Sequence, residues 1–179
     1  MPTCIQPGGI KMAGKIVRRS QRVAFMNTDT TGKTPKFERM TGFTSFTNSK
    51  NPKEYNRQYV DEDAERGDVV GYAPSIDYSF DRHTDTPVHD HIAKIQDGEL
   101  LGSDTHVEIV VADLFTKTED GVCEATKRTY SIIPDSDGDG TEALIYSGSM
   151  KSVSGITKGT ATVSDDGMIA TFTPALAAQ

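Results

Sequence analysis

Apolar and polar positions alternate most cleanly over residues 69–81. Val70, Tyr72, Ile76, Tyr78 and Phe80 share one face there, and Ala73, Ser75, Asp77, Ser79 and Asp81 share the other. Successive side chains of an extended chain point to opposite sides, so this pattern predicts a half-buried strand. Pro74 within it has no N–H to give a neighbour, which places the strand at an edge or puts a bulge in it. Residues 15–27 predict a first strand ending near Phe25 and Met26, and 27–35 a turn-rich loop. Phe37, Phe43 and Phe46 anchor a second strand over 37–46, with Gly42 at a bulge.

The period changes once. Val88, Ile92 and Ile95 stand at i, i+4 and i+7, the spacing of one helical face, and predict a helix over about 87–97. Thr86 occupies the N-cap position, Pro87 the first helical position and Asp90 the first turn, and Gly98 is the stop. So short a helix needs a sheet to pack on. Beyond it the pattern is all β. Ile109-Val110-Val111-Ala112 is apolar on both faces, within a strand over 105–117. Glu119-Asp120-Gly121 turns the chain into 122–134. Further strands follow over 143–153, 157–164 and 168–173, the last two joined by Asp165-Asp166-Gly167. Seven to nine strands linked mostly as hairpins, with one short helix, give a mainly β fold: an antiparallel β-sandwich or flattened barrel.

Residues 47–68 break the pattern. They are polar, basic first (Lys50, Lys53, Arg57) and acidic after (Asp61, Glu62, Asp63, Glu65), and predict a long projecting loop with a short strand near Tyr55–Val60. Loops of that length in a compact domain carry function or are disordered. Pro2, Pro7, Gly8, Gly9 and Gly14 make 1–14 an arm, the β domain spans 15–174, and 175–179 form a second short arm. Met12 opens a second start, so residues 1–11 read as an upstream extension or a cloning remnant.

A chain of 179 residues fits one domain with arms and can bury a core without disulfides or metals. Its hydrophobic fraction of 35% and mean hydropathy of −0.47 are low, yet apolar strands recur throughout, so it reads as folded with polar loops. Cys4 and Cys123 make no disulfide framework and read as two unpaired thiols in a reducing compartment. No apolar run approaches the ~20 residues of a membrane span, and the N-terminus lacks an apolar signal core, so the expected place of synthesis is a cytoplasm and no membrane partner is expected.

Charge divides the chain. Residues 1–60 hold 11 Lys/Arg against 3 Asp/Glu, and 61–179 hold 8 against 23, so a net of −7 conceals +8 and −15. A body with one basic and one acidic surface can bind copies of itself head to tail, which makes rings or filaments.

Motifs with catalytic or ligand chemistry fail on inspection. Asp135-Ser-Asp137-Gly-Asp139-Gly140 matches the first half of a calcium loop, but its twelfth position is Tyr146 instead of a bidentate Glu. Gly32-Lys33-Thr34 resembles the end of a phosphate loop, but Asn27 stands where the first glycine belongs and Pro35 precludes the helix. His89 and His91 lie two apart on the predicted helix and point about 200° from each other, so they cannot share an ion. His83, His89, His91 and His106 read as surface or capping residues. No nucleophile elbow, Cys–His arrangement or carboxylate pair is legible. The expectation is no enzyme, no catalytic, cofactor-binding or metal residues, and no cofactor. The scattered cations, absent Trp and pI of about 5.0 argue against sequence-specific nucleic-acid binding.

An ordered series of segments resembles the major tail tube proteins of long-tailed bacteriophages, especially siphophage-type tubes of Gram-positive hosts. It runs from Phe43-Thr-Ser-Phe46 and Glu54-Tyr55 to Asp61-Glu62, through Asp68–Asp81, the helix before Asp97-Gly98 and Glu108–Val111. It ends with Ala125–Tyr130, Ile145–Gly148 and Lys158-Gly159. The resemblance covers about Lys15 to Pro174 and rests on no single short motif. It implies a β-sandwich flanked by a helix, hexameric rings whose inner sheets join as a continuous barrel, and stacking through a long loop and terminal arms. It further implies a lumen that holds a tape-measure protein and then conducts DNA without binding it specifically. Its other partners are a tail terminator and distal tail or baseplate proteins. The location it implies is the virion tail, after assembly in the host cytoplasm. The extension 1–11 departs from that pattern. Residues 47–68 are the expected inter-ring loop. Two alternatives remain: the tube of a contractile tail or tailocin, and, in another class, a carbohydrate- or calcium-binding β-sandwich module.

Overall fold

The computed structural model describes residues 14–29, 32, 34–138 and 140–175. Among these residues eleven strands follow one another: β1 (Arg22–Asn27), β2 (Phe37–Arg39), β3 (Phe43–Ser49), β4 (Pro52–Arg57), β5 (Arg66–Tyr72), β6 (Ser75–Asp81), β7 (His106–Asp113), β8 (Val122–Asp137), β9 (Ile145–Ser152), β10 (Thr157–Val163) and β11 (Ile169–Pro174). Among the described residues one α-helix, α1 (Pro87–Asp97), interrupts them, along with three 3-10 turns. The fold is mainly β and antiparallel with one helix, as the periodicity predicts.

Nine strands form one sheet in the order β10-β11-β2-β1-β7-β8-β9-β6-β3, and β10 pairs back onto β8. That second pairing closes six strands into a small barrel, and β9, β6 and β3 continue from it as an open flap. The sixteen-residue β8 makes both possible. Its first part pairs with β10 (Cys123↔Ala161) and its second part with β9 (Ile132↔Met150), while β7 lies along its other side from Glu124 to Ser131.

Two cores result, one on each face of β1 and β7. Inside the barrel lie Val23, Phe25, Phe37, Val110, Ala112, Cys123, Ala125, Ala161 and Ala170. A barrel of so few strands is narrow, so small side chains offset the phenylalanines. The other core lies between the flap and α1. It contains Met26, Ile76, Tyr78, Phe80, Val88, Ile92, Ile95, Ile109, Ile132 and Met150. Each such side chain contributes roughly 1.5–3 kcal/mol on full burial. Ile109, Val110 and Ala112 are buried on alternate faces of β7, which accounts for a strand with no polar side.

The structure corrects several boundaries. The alternation over 69–81 belongs to two strands. Pro74 ends the pattern's first half, and only Ile76, Tyr78 and Phe80 reach the core; Val70 and Tyr72 are 66% and 62% exposed. The strand over 37–46 is likewise two, β2 and β3, because the chain turns at Gly42 with φ +73°. Residues 47–68 are not a loop: β3 runs to Ser49, and 52–72 form the two-stranded hairpin β4–β5. Residues 1–13 and 176–179, most of the two expected arms and including Cys4, lie outside the described residues. Thr86 does hold the N-cap position, but its hydroxyl bonds to the Thr84 carbonyl and leaves the helix start uncapped by a side chain. Gly98 ends α1 in a right-handed conformation, and the left-handed residue is Glu99.

Candidate functional site

Two features stand out on the surface: a hairpin with no partner and a basic groove. The hairpin arises because β4 and β5 pair only with each other, from Pro52↔Tyr72 to Arg57↔Arg66, with a bulge between Lys53 and Glu54. Its root is tied to the body. The Ala73 N–H donates to the Asn51 carbonyl at 3.1 Å, and the Asn51 amide donates to the Ala73 carbonyl and to Ser75 Oγ. Its tip is organised too. The Glu62 N–H donates to the Tyr59 carbonyl, Arg66 pairs with Glu62, and the Arg66 guanidinium lies 6.0 Å from the centre of the Tyr59 ring. Yet Tyr55, Tyr59, Val60, Val69, Val70 and Tyr72 are all exposed, Val60 entirely so. An isolated two-stranded hairpin is marginal in water, and no other described strand pairs with this one.

The groove opens where β3 passes over β1 and β7. Its floor is Ala24, Phe46 and Val111, and Arg19, Arg22 and Lys50 stand around it. A wider part of about 480 Å³ shares Arg19, Arg22 and Phe46 and extends to Arg39 and Gly42. Arg19 spans it, donating to the carbonyls of Arg22 and Phe46 at 2.6 and 3.5 Å. Arg22 is paired with Asp113 at 3.4 Å. Among the described residues Arg19, Arg39 and Lys50 have no carboxylate within ion-pair distance.

The face of the flap turned away from α1 has another character. The register β3–β6–β9 puts Ser45, Thr47, Asp77, Ser79, Ser147 and Ser149 on it together. These side chains are small and polar, with Asp77 the acid among them.

The sequence look-alikes behave as ordinary structure. Asp135 and Asp137 lie in β8, and Tyr146, the twelfth position of the supposed calcium loop, is directly opposite Asp137 in the ladder; Asp139 lies outside the described residues. No group of three or more His, Cys, Asp or Glu side chains converges for a metal among the described residues. Thr34 belongs to a turn, its N–H donating to Asp29. No helix among the described residues is long and apolar enough to cross a membrane.

His89 is the exception to the surface reading of the histidines. It is 1% exposed, stacked against Phe80 at 4.3 Å and edge-on to Phe43. Its Nδ1 accepts from the His83 N–H at 3.2 Å, so Nε2 carries the proton it gives to the Thr41 carbonyl at 2.8 Å. Burial holds its pKa below the ordinary histidine value. Its place one residue after Val88 was the available signal, since it widens the apolar stripe of α1. The groove gave no such signal. Arg19 and Lys50 are far apart in sequence, and only the fold brings them to one mouth.

No family model and no curated protein matches the chain. Solved structures do resemble it. A chain from the tail of an empty GTA particle, determined by helical refinement with C6 symmetry, superposes with a TM-score of 0.54 at 15% identity, covering 79% of this chain and 98% of that one. A chain from the six-fold symmetrised baseplate of the anti-feeding prophage gives 0.48 at 9% identity, covering 82% and 97%. The first of these establishes a shared fold; the second is too distant to argue from.

Proposed function

We propose that this protein is the repeating structural subunit of a phage-type tail tube, assembling with itself into rings that stack as a conduit for DNA. The observation that carries the reading is the β4–β5 hairpin. It is a two-stranded arm with exposed apolar side chains that pairs with no other described strand, and it stands on a body whose fold is shared with a GTA tail chain. The C6 symmetry of that tail supports six subunits per ring. The small polar face of Ser45, Thr47, Asp77, Ser79, Ser147 and Ser149 suits a lumen. With Lys151 the one cation that β3, β6 and β9 place on this face, such a wall gains little counterion-release energy from phosphates, so DNA passes without being held. In this reading residues 52–72 bridge successive rings, a tape-measure protein fills the lumen before DNA, and tail terminator and baseplate proteins close the ends. The subunit is made in a host cytoplasm and resides in the virion tail.

Negative-stain microscopy with light scattering on the full chain, across concentration and salt, tests this. Stacked rings or hollow tubes are expected. A species that stays monomeric at every concentration, and that also binds glycans or calcium, would favour a β-sandwich binding module instead.

A further inference from the structure

The basic groove and the hairpin tip have complementary chemistry. We infer that the groove beside β3 is the receptor for the hairpin tip of a second copy of this chain, with Val60 on the apolar floor and Asp61 and Asp63 against Arg19 and Lys50. This rests on the self-assembly proposed above and names the contact that would link copies.

The groove needs an occupant with an apolar part and acidic groups. Its floor is Ala24, Phe46 and Val111, and the cations Arg19, Arg39 and Lys50 are free of carboxylates among the described residues. The tip supplies both. Val60 is completely exposed and Tyr59 is 46% exposed, and Asp61, Glu62, Asp63 and Glu65 follow within five residues. Glu62 is engaged by Arg66, which leaves Asp61 and Asp63 as acids beside Val60 that no described ion pair uses. Residues 1–13 carry Lys11 as their one charged side chain and 176–179 carry none, so neither of these segments has the acidic side chains of the tip. A subunit's own tip is held away from its own groove. The ladder of β4 and β5 starts at Pro52, two residues from Lys50, and carries the tip about 20 Å from that root. Nucleic acid would satisfy the cations but would leave the apolar floor unused.

A charge swap in the full-length protein tests the contact. Lys50→Glu reverses one cation of the groove, Asp63→Lys reverses the acid set against it, and a third protein carries both changes. All of these positions are exposed, and circular dichroism with thermal melting verifies that each protein folds. Sedimentation and microscopy then give the concentration at which polymer appears. Each reversal alone should raise that concentration by about tenfold or more, and the double variant should return close to wild type, as complementary charges set partner choice. Polymer forming as readily in the single reversals as in the wild type overturns the groove assignment and leaves the tube reading standing. A double variant no better than its worse parent overturns it equally. Duplex DNA bound by the wild type and lost with Lys50→Glu, while polymer is unaffected, would make the groove a nucleic-acid site instead. A wild type that never polymerises overturns the reading beneath it.

Discussion

The imidazole of His89, on α1, gives its Nε2 proton to the carbonyl of Thr41, 48 residues earlier in the chain, at 2.8 Å. With Nδ1 already accepting from the His83 N–H, both ring nitrogens are spoken for in the neutral form. A second proton would have to go to Nδ1 and break that bond in a buried setting. Burial is the main cause of the depressed pKa; the His83 and Arg82 charges push the same way, and Thr41 and Asp90 oppose them. The unfolded chain therefore takes up this proton first, near pH 6.5. Stability is full above about that pH and falls as the pH drops below it towards the folded value. Melting temperature should decline over this range more steeply in the wild type than in His89→Gln, which stays neutral and keeps a donor for Thr41. An NMR titration placing the His89 midpoint at or above 6.5 would contradict the account.

Two buried tyrosines should respond oppositely to loss of their hydroxyls. Tyr146 donates to Asp97 at 3.1 Å, tying β9 to the end of α1, whereas the Tyr78 hydroxyl is buried without a partner among the described residues. Burial pushes the Tyr78 pKa well above the ordinary tyrosine value, with Asp135 adding to it. Tyr146→Phe should cost about 1 kcal/mol or somewhat more, and Tyr78→Phe should be neutral or stabilising, because it removes an unpaired buried polar group. Urea denaturation of the two variants beside wild type decides it.

Gly159 is fixed by the narrowness of the barrel. A Cβ there would lie 2.2 Å from the Thr173 carbonyl oxygen and 2.8 Å from the Phe172 ring. The oxygen belongs to the paired strand β11 and cannot move without breaking the ladder. Gly159→Ala should cost roughly 1–3 kcal/mol, as overpacking does elsewhere, and a melting curve like that of the wild type would count against it.

These cases mark what the sequence makes legible. Period-two alternation located Ile76, Tyr78 and Phe80, and the i, i+4, i+7 spacing located α1, because both depend on near neighbours in the chain. The two-sided apolar run of β7 even announced burial on both faces. What failed was non-local. Val70 and Tyr72 continue the core alternation in phase, yet Pro74 and the Asn51–Ala73 bonds divert them into a hairpin outside the core. Closure of β10 onto β8 left no local trace, and the basic groove gathers residues from β1, β3 and the turn before β1. Opposite-charge blocks did single out 47–68 as a projecting element, though its folding as a ladder was not foreseen.

The flap face proposed as lumen predicts a gain of binding. Asp77 and Ser149 are directly opposite each other in the β6–β9 ladder. Assemblies of Asp77→Lys with Ser149→Lys should retain duplex DNA with an affinity that falls steeply with salt, while wild-type assemblies should not. Equal retention by both would place this face away from the DNA path.

The hairpin itself offers the most direct separation of folding from assembly. Its ends are already joined to each other, since the Ala73 N–H donates to the Asn51 carbonyl at 3.1 Å and the Asn51 side chain bridges to Ser75. Replacing residues 53–71 by Asn-Gly leaves those bonds in place and gives a two-residue turn of the type that hairpins favour. No core side chain is lost, because every residue from 51 to 61 is exposed, and so are Val69, Val70 and Tyr72. The shortened protein should therefore melt within a few degrees of the wild type and remain soluble. It should also fail to form stacked assemblies, because the exposed tyrosines and valines that the arm would bury in a neighbour are gone. If it unfolds, the arm belongs to the core despite its exposure. If it folds and still stacks at wild-type yield, the contact between copies lies elsewhere on the body.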